Sequence, residues 1–298
     1  MLPRPRTGKP PWYNPRMPAG QTRHDRDRDR DRDYVLGTHD DEIERLCFQH
    51  AVWRDEVTRA WSSAGLAPGA RVVDVGAGPG FASLDLAERV GPAGEVLAVE
   101  RSGRFARLLA GEAARRGLST VRTAELDLME HAIPTEGADL AWCRWVACFV
   151  RDPALLVDRM AACLRSGGTV VFHEYVEYAS YRLLPVQPAV TAFVEAVYES
   201  WRAEGGEPDI ARVLPTLLAS RGFRIDSVRP IVRSARPGET LWQWPAGFAR
   251  INARRLAATG RRDERWAQWV IDAVDAAERD PASVFMTPTV LEIIATKS

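Results

Sequence analysis

Cysteines are few, and nothing in their spacing suggests a bond or a metal. Only Cys47, Cys143, Cys148 and Cys163 occur in 298 residues, with no Cys-x-x-Cys pair and no histidine at ligand spacing. That excludes a disulfide framework and a zinc site, and leaves free thiols of a reducing compartment. Net charge is absent too: 40 Lys+Arg face 40 Asp+Glu, so the basic surplus of a nucleic-acid binder is missing. No apolar run reaches the length of a membrane span; the best, 138–150, is short and carries Arg144. The opening Met-Leu-Pro-Arg-Pro-Arg lacks the apolar run of a secretory signal. The expectation is a soluble, cytoplasmic protein with a small-molecule partner, no nucleic acid, no membrane and no metal, with a homodimer left open.

What is present begins with a charged tail. Residues 1–36 are Pro- and Arg-rich and include the alternating run Asp25–Asp33; with so little apolar surface the segment reads as disordered. From 37 to 298 the pattern is that of one domain. Ile43, Leu46, Cys47, His50, Trp53, Val57 and Trp61 recur at helical spacing, which predicts a helix over 41–64. Short apolar strands then alternate with helices: Arg71–Val75, a helix near 81–90, Glu95–Val99, a helix near 102–116, a strand near Val121, Asp139–Cys143, a helix over 153–165 and Gly168–Tyr175. That rhythm predicts βαβ units and a mainly parallel sheet. After Tyr175 it loosens into helical pattern over 188–203, 209–221 and 243–279, with strands at Phe223–Val232 and Thr289–Ala295. The last two strands read as an edge hairpin whose connection carries the extra helices.

The most informative segment is Val72-Val73-Asp74-Val75-Gly76-Ala77-Gly78-Pro79-Gly80. A strand that ends in glycines lets the backbone turn sharply and a ligand approach closely, and ligands of such sheets bind at the carboxyl ends of the strands. A dinucleotide fingerprint would place its third glycine at position 81, where the chain has Phe81. Glu100 follows at the end of the next strand, suited to accept hydrogen bonds from both hydroxyls of a ribose.

Gly76-x-Gly78-x-Gly80 with Glu100 resembles motif I and its acidic partner in the class I S-adenosylmethionine-dependent methyltransferases. Leu126-Asp127-Leu128, Ala138–Trp142 and Leu164-Arg165-Ser166-Gly167-Gly168 resemble later segments of the same family, although Leu-Lys-Pro-Gly-Gly is its commoner form of the last. The resemblance implies an α/β Rossmann-like fold: a seven-stranded, mainly parallel sheet with an antiparallel last strand. Helical additions around 181–221 and 237–280 would form a substrate lid. It also implies S-adenosyl-L-methionine as cofactor and a small-molecule, hydrophobic or aromatic acceptor. Asp74 would order the glycine loop or meet the methionine amino group, with Gly76 and Gly78 against the methionine portion and Gly80 completing the loop. Glu100 would hold the ribose, Arg101 flank the adenine, and Asp127 and Leu128 contact it. Cys143 or Arg144 would lie near the sulfonium, and Gln49 near the methionine carboxylate.

Methyl transfer from a sulfonium is an in-line displacement in which orientation and exclusion of water dominate. A base is needed only for some acceptors. His173 and Tyr175, sent to one face of the fifth strand by alternation, are the candidates for base or substrate positioning, with His50 a further one. A buried, hydrogen-bonded histidine is the structural alternative for each histidine. Trp242 and Trp244 fall where the lid begins, and Trp266 and Trp269 read as core. Two readings compete with methyl transfer: a same-fold enzyme that retains the cofactor for another reaction such as cyclisation, and a non-catalytic binding subunit.

Overall fold

A computed structural model describes residues 40–298; the expectation of a disordered tail over 1–36 lies outside the described residues. A long helix, α1 (Asp40–Ser63), precedes β1 (Arg71–Val75), α2 (Phe81–Val90), β2 (Glu95–Glu100), α3 (Gly103–Arg116), β3 (Val121–Glu125), β4 (Ala138–Arg144), α4 (Pro153–Cys163) and β5 (Leu164–Glu177). The second half holds β6 (Arg182–Leu184), α5 (Pro188–Ala203), α6 (Leu214–Ala219), β7 (Phe223–Ile231), β8 (Ser234–Ala235), α7 (Gln243–Ala258), α8 (Glu264–Arg279), β9 (Val284–Met286) and β10 (Thr289–Lys297).

The main sheet has the order β3-β2-β1-β4-β5-β10-β7. Its first five strands run parallel, and β10 is antiparallel to both β5 and β7. This is the seven-stranded α/β sheet that the sequence pattern and the glycine motif imply. Strands buried on both faces are near-continuous apolar runs, as in β1 and β2. Helix starts follow their caps: Ser102 accepts from the Phe105 amide, and Asp152 from the Leu155 amide ahead of Pro153. The chain leaves β1 in one direction along the sheet and returns to β4 in the other, so the carboxyl ends of β1 and β4 flank the crevice where such sheets bind ligands.

Several boundaries differ from expectation. The helical pattern over 243–279 is two helices, broken at 259–263 where Gly260 takes φ +72°. The pattern over 209–221 is a 3-10 turn, Ile210–Arg212, followed by the short α6. β5 begins four residues early because Leu164 pairs with Ala138, and a register shift absorbs the glycines after it. A small antiparallel sheet, β6-β9-β8, has strands of two or three residues, too short to leave a period in the sequence.

The helical additions sit over the carboxyl-end crevice. α7 packs on both α1 and α8, which brings Phe248 into the crevice lining and Trp244 against Gln49 of α1. Trp266 is half-buried, whereas Trp269 is 47% exposed on the polar side of α8, which corrects its assignment to the core. The four cysteines are free and buried. Among the described residues no helix is long and apolar enough to cross a membrane.

Candidate functional site

The crevice is a cleft of about 770 Å³ when open solvent at its mouth is counted. Two chemistries interleave in its lining. Asp74, Gly76 and Gly78 from β1 and its loop, Gln49 and Arg45 from α1, and Arg144 from β4 supply polar groups. Trp142, Trp145, Phe149, Tyr175, Trp201 and Phe248 supply aromatic rings, with Arg144 over Trp142 and Trp145 and Arg45 over Phe248.

Position along the sheet explains the polar groups. Asp74, Trp142 and Val171 stand side by side on β1, β4 and β5, and alternation puts Arg144, His173 and Tyr175 on that same face, the one covered by α1. Asp74 is buried and accepts from the Ser83 hydroxyl at 2.5 Å. Burial pushes its carboxyl up to about 6, against the pull of Ser83 and Arg144. Gln49 Oε1 accepts from Arg45 at 2.9 Å and from the Trp244 indole at 3.0 Å, so the helix and the lid share one acceptor. Arg45 is also held by a two-pronged pair with Glu42.

The three loop glycines do different work. All have positive φ, +67°, +58° and +88° at Gly76, Gly78 and Gly80. A Cβ on Gly76 would stand 2.4 Å from Val146 Cγ2, and one on Gly80 would stand 2.2 Å from Leu109 Cδ1. On Gly78 it would meet nothing within 4 Å, so that glycine borders open space at the cleft. Gly76 and Gly78 line the cleft, whereas Gly80 starts α2 and packs on α3.

Glu100 ties the loop to β2. Its Oε2 accepts from the Gly78 amide at 2.7 Å and its Oε1 from the Ser102 amide at 2.8 Å. Burial raises its pKa, opposed by those amides. The Arg101 amide also bonds this carboxylate, whose remaining acceptor capacity suits a hydroxyl. Arg101 lies 3.7 Å from Asp127, whose other oxygen accepts from the Met129 amide; Leu128 is buried beside them. This group lies at the ends of β2 and β3, outside the cleft lining.

Three expected residues stand elsewhere. Cys143 is fully buried on the opposite face, with its Sγ toward Glu174. His173 is fully buried beneath α1, 3.0 Å from Glu292. Arg59 and Arg229 also hold Glu292, and Trp142 meets the His173 ring edge-on. The cleft ends one step along the strand, at Tyr175, so His173 is not at its wall. His50 is likewise absent from the lining; its Nε2 faces Asp85 at 3.0 Å and its Nδ1 faces Arg144 at 3.1 Å. With both nitrogens engaged, and burial lowering its pKa, His50 has no lone pair free for an acceptor's proton. Of the three catalytic candidates only Tyr175 lines the cleft, and burial lifts its hydroxyl well above the usual phenol value. It is therefore a donor, not a base, near neutrality.

The aromatic wall has a support that the sequence analysis missed. Trp145 has φ +52°, a conformation that bulky side chains rarely adopt. Glu174 Oε1 accepts from the next two amides, Val146 at 2.7 Å and Ala147 at 2.8 Å, and the Trp145 amide donates to the His173 carbonyl at 3.0 Å. The backbone is thus held on both sides of the strained residue. Its indole stacks with Tyr175 at 5.6 Å and with Trp244 at 5.7 Å. Burial pushes Glu174 up to about 7. Phe149, Trp201 and Phe248 complete the wall; only adjacency in the fold identifies them.

Residues 73–172 match the family described as methyltransferase domain. A nocamycin O-methyltransferase of Saccharothrix syringae is 34% identical over 131 residues, 44% of this chain and 47% of that protein. The chain spans about half the length of the curated relatives it matches. Among solved structures, the cyclase SpnF superposes with TM-score 0.53 at 20% identity, covering 82% of this chain and 80% of that one. A geranyl diphosphate C-methyltransferase from Streptomyces coelicolor A3(2) superposes with TM-score 0.54 at 15% identity, over 84% and 80% of the two chains. At those identities the likeness is one of fold.

Proposed function

We propose, from the premise that residues 73–172 are a methyltransferase domain, that the chain binds S-adenosylmethionine in the cleft and transfers its methyl group to a small aromatic or hydrophobic acceptor. One observation carries this reading. A single cleft gathers an acid, a cationic guanidinium and an open glycine turn among aromatic side chains.

The residues present fit the cofactor. Gly78 leaves open the space that a Cβ would fill. Asp74 and Arg144 offer opposite charges in the cleft, as an α-amino acid requires. Glu100 keeps acceptor capacity for a ribose hydroxyl, with Asp127 and Leu128 next along the strand ends for an adenine. When bound, S-adenosylmethionine supplies an electrophilic methyl on a sulfonium whose thioether departs readily.

The chain's own part is to bind, orient and exclude water. The aromatic wall would hold a planar acceptor by stacking, worth about 0.5–1.5 kcal/mol per ring beyond area burial. Tyr175 would donate to an acceptor oxygen. Among the described residues the cleft lining carries no histidine, so an acceptor that ionises readily fits best. The relative named a nocamycin O-methyltransferase supports an oxygen nucleophile.

Calorimetry with S-adenosylhomocysteine, followed by incubation of labelled cofactor with phenolic and carboxylic aromatic acceptors, tests the reading. Absence of binding at millimolar ligand would overturn it. Tight binding without transfer to any acceptor would favour a non-transfer reaction such as the cyclisation suggested by the name of one structural neighbour.

A further inference from the structure

Arg144 enters the cleft wall from the end of β4 with part of its guanidinium uncommitted. Its Nη2 meets His50 Nδ1 at 3.1 Å, while Nη1 is buried with no hydrogen-bond partner among the described residues. Burial lowers its pKa only to about 10, so it stays cationic at neutral pH. An unpaired polar nitrogen in a low-dielectric wall is unfavourable unless something completes it.

The partners of Arg144 form a chain with one polarity. A guanidinium can only donate, so His50 Nδ1 is the acceptor and its proton sits on Nε2. That proton faces Asp85 Oδ2 at 3.0 Å. Arg54 then holds both Asp85 oxygens, at 2.7 and 3.1 Å, and together with His50 it pulls the Asp85 carboxyl down to about 2 against burial. Neither Arg54, Asp85 nor His50 lines the cleft, so any effect they have on a ligand passes through Arg144. The guanidinium is also seated over the Trp145 ring at 5.2 Å and the Trp142 ring at 6.0 Å. Asp74 and Arg144 both line the cleft and feel each other's charge, yet no ion pair joins them among the described residues. Their opposite charges match those of an α-amino acid.

We propose that Arg144 receives the α-carboxylate of the cofactor's amino-acid half, and that Arg54, Asp85 and His50 form a positioning chain that fixes Arg144 for it. This rests on the reading of the cleft as an S-adenosylmethionine site. It reassigns Arg144 from the sulfonium, beside which a second cation would be repelled.

The test compares two ligands by calorimetry on the full chain: S-adenosylhomocysteine, and 5′-methylthioadenosine, which lacks the amino-acid half. Arg144→Met should weaken the first about tenfold or more, the loss of a charge-assisted bond, and leave the second within about twofold. His50→Leu should shrink the ratio of the two affinities in the same direction, whereas His50→Gln, which retains an acceptor and a donor, should restore it. A merely structural role would move both ligands together. An unchanged ratio in Arg144→Met, or in His50→Leu, would overturn the proposal. If Arg144→Met loses both ligands through misfolding, Arg144→Lys carries the same comparison, with the ratio reduced if the proposal holds and unchanged if it fails. Wild-type protein that binds neither ligand would instead overturn the cofactor reading itself, a result distinct from binding both with a ratio indifferent to residue 144.

Discussion

Acidification should uncouple the amino-acid half of the cofactor from the site. Burial raises the Asp74 carboxyl from 3.8 to about 6. At pH 8 it is ionised in nearly every molecule, and at pH 5 in about a tenth of them, so a ligand whose ammonium needs that carboxylate meets about tenfold fewer competent sites. S-adenosylhomocysteine should therefore bind about tenfold more weakly at pH 5 than at pH 8, while 5′-methylthioadenosine, which shares the Glu100 site but has no ammonium, changes far less. The same shift bears on stability. A carboxyl whose folded pKa is raised binds its proton more tightly when folded. The penalty is absent below 3.8 and complete above about 6, reaching about 3 kcal/mol at ~1.4 kcal/mol per unit. Asp74→Asn removes both effects: it should raise the midpoint of thermal unfolding at pH 8, weaken S-adenosylhomocysteine there and flatten the pH profile. Calorimetry in steps from pH 5 to 8 measures this. An equal slope in Asp74→Asn, or for the ligand without the ammonium, would refute the reasoning.

Other substitutions separate the parts of the site. Glu100→Ala should weaken S-adenosylhomocysteine and 5′-methylthioadenosine alike, about tenfold or more, as read by calorimetry; unequal losses would count against ribose recognition. Gly76→Ala drives a Cβ to 2.4 Å from Val146 and should lower folding stability by about 1–3 kcal/mol in urea titration. Gly78→Ala meets no protein atom within 4 Å, so it should lose mainly ligand affinity beyond the strain of its positive φ. His173→Gln should lower the unfolding midpoint and leave S-adenosylhomocysteine affinity within about twofold, because His173 serves Glu292 and not the cleft.

The sheet and the polar lining of the cleft were legible because their signals are local. Apolar runs separated by helical periods specify a parallel sheet, and the glycines and Glu100 lie within one βαβ unit. Glu100 falls beside the loop because β1 pairs with β2. What the sequence could not resolve depends on distance along a strand or across the chain. Alternation correctly put His173 and Tyr175 on one face, but it carries no information on where α1 stops covering that face. The difference of two residues turned one from cleft wall into the buried partner of Glu292, 119 positions away. His50 reads as a free helix-face base until Asp85 and Arg144 occupy both nitrogens. Trp145 has no local mark of its left-handed backbone, since the restraint comes from Glu174 on another strand. Phe149, Trp201 and Phe248 look like any core aromatics until three separate segments converge.

The position of β10 has a consequence for how the protein is made. β5, which bears Tyr175, pairs with β4 on one side and with β10 on the other, yet β10 begins at Thr289, more than a hundred residues later. During translation every other described strand leaves the ribosome first. Until β10 arrives, β5 presents an open edge, Glu292 is missing from beside His173, and Lys297 has not yet capped the Ala161 and Leu164 carbonyls. The nascent chain thus carries a half-finished sheet with a long apolar edge, the geometry most prone to pair with another chain. Pairing with β10 closes that edge of β5.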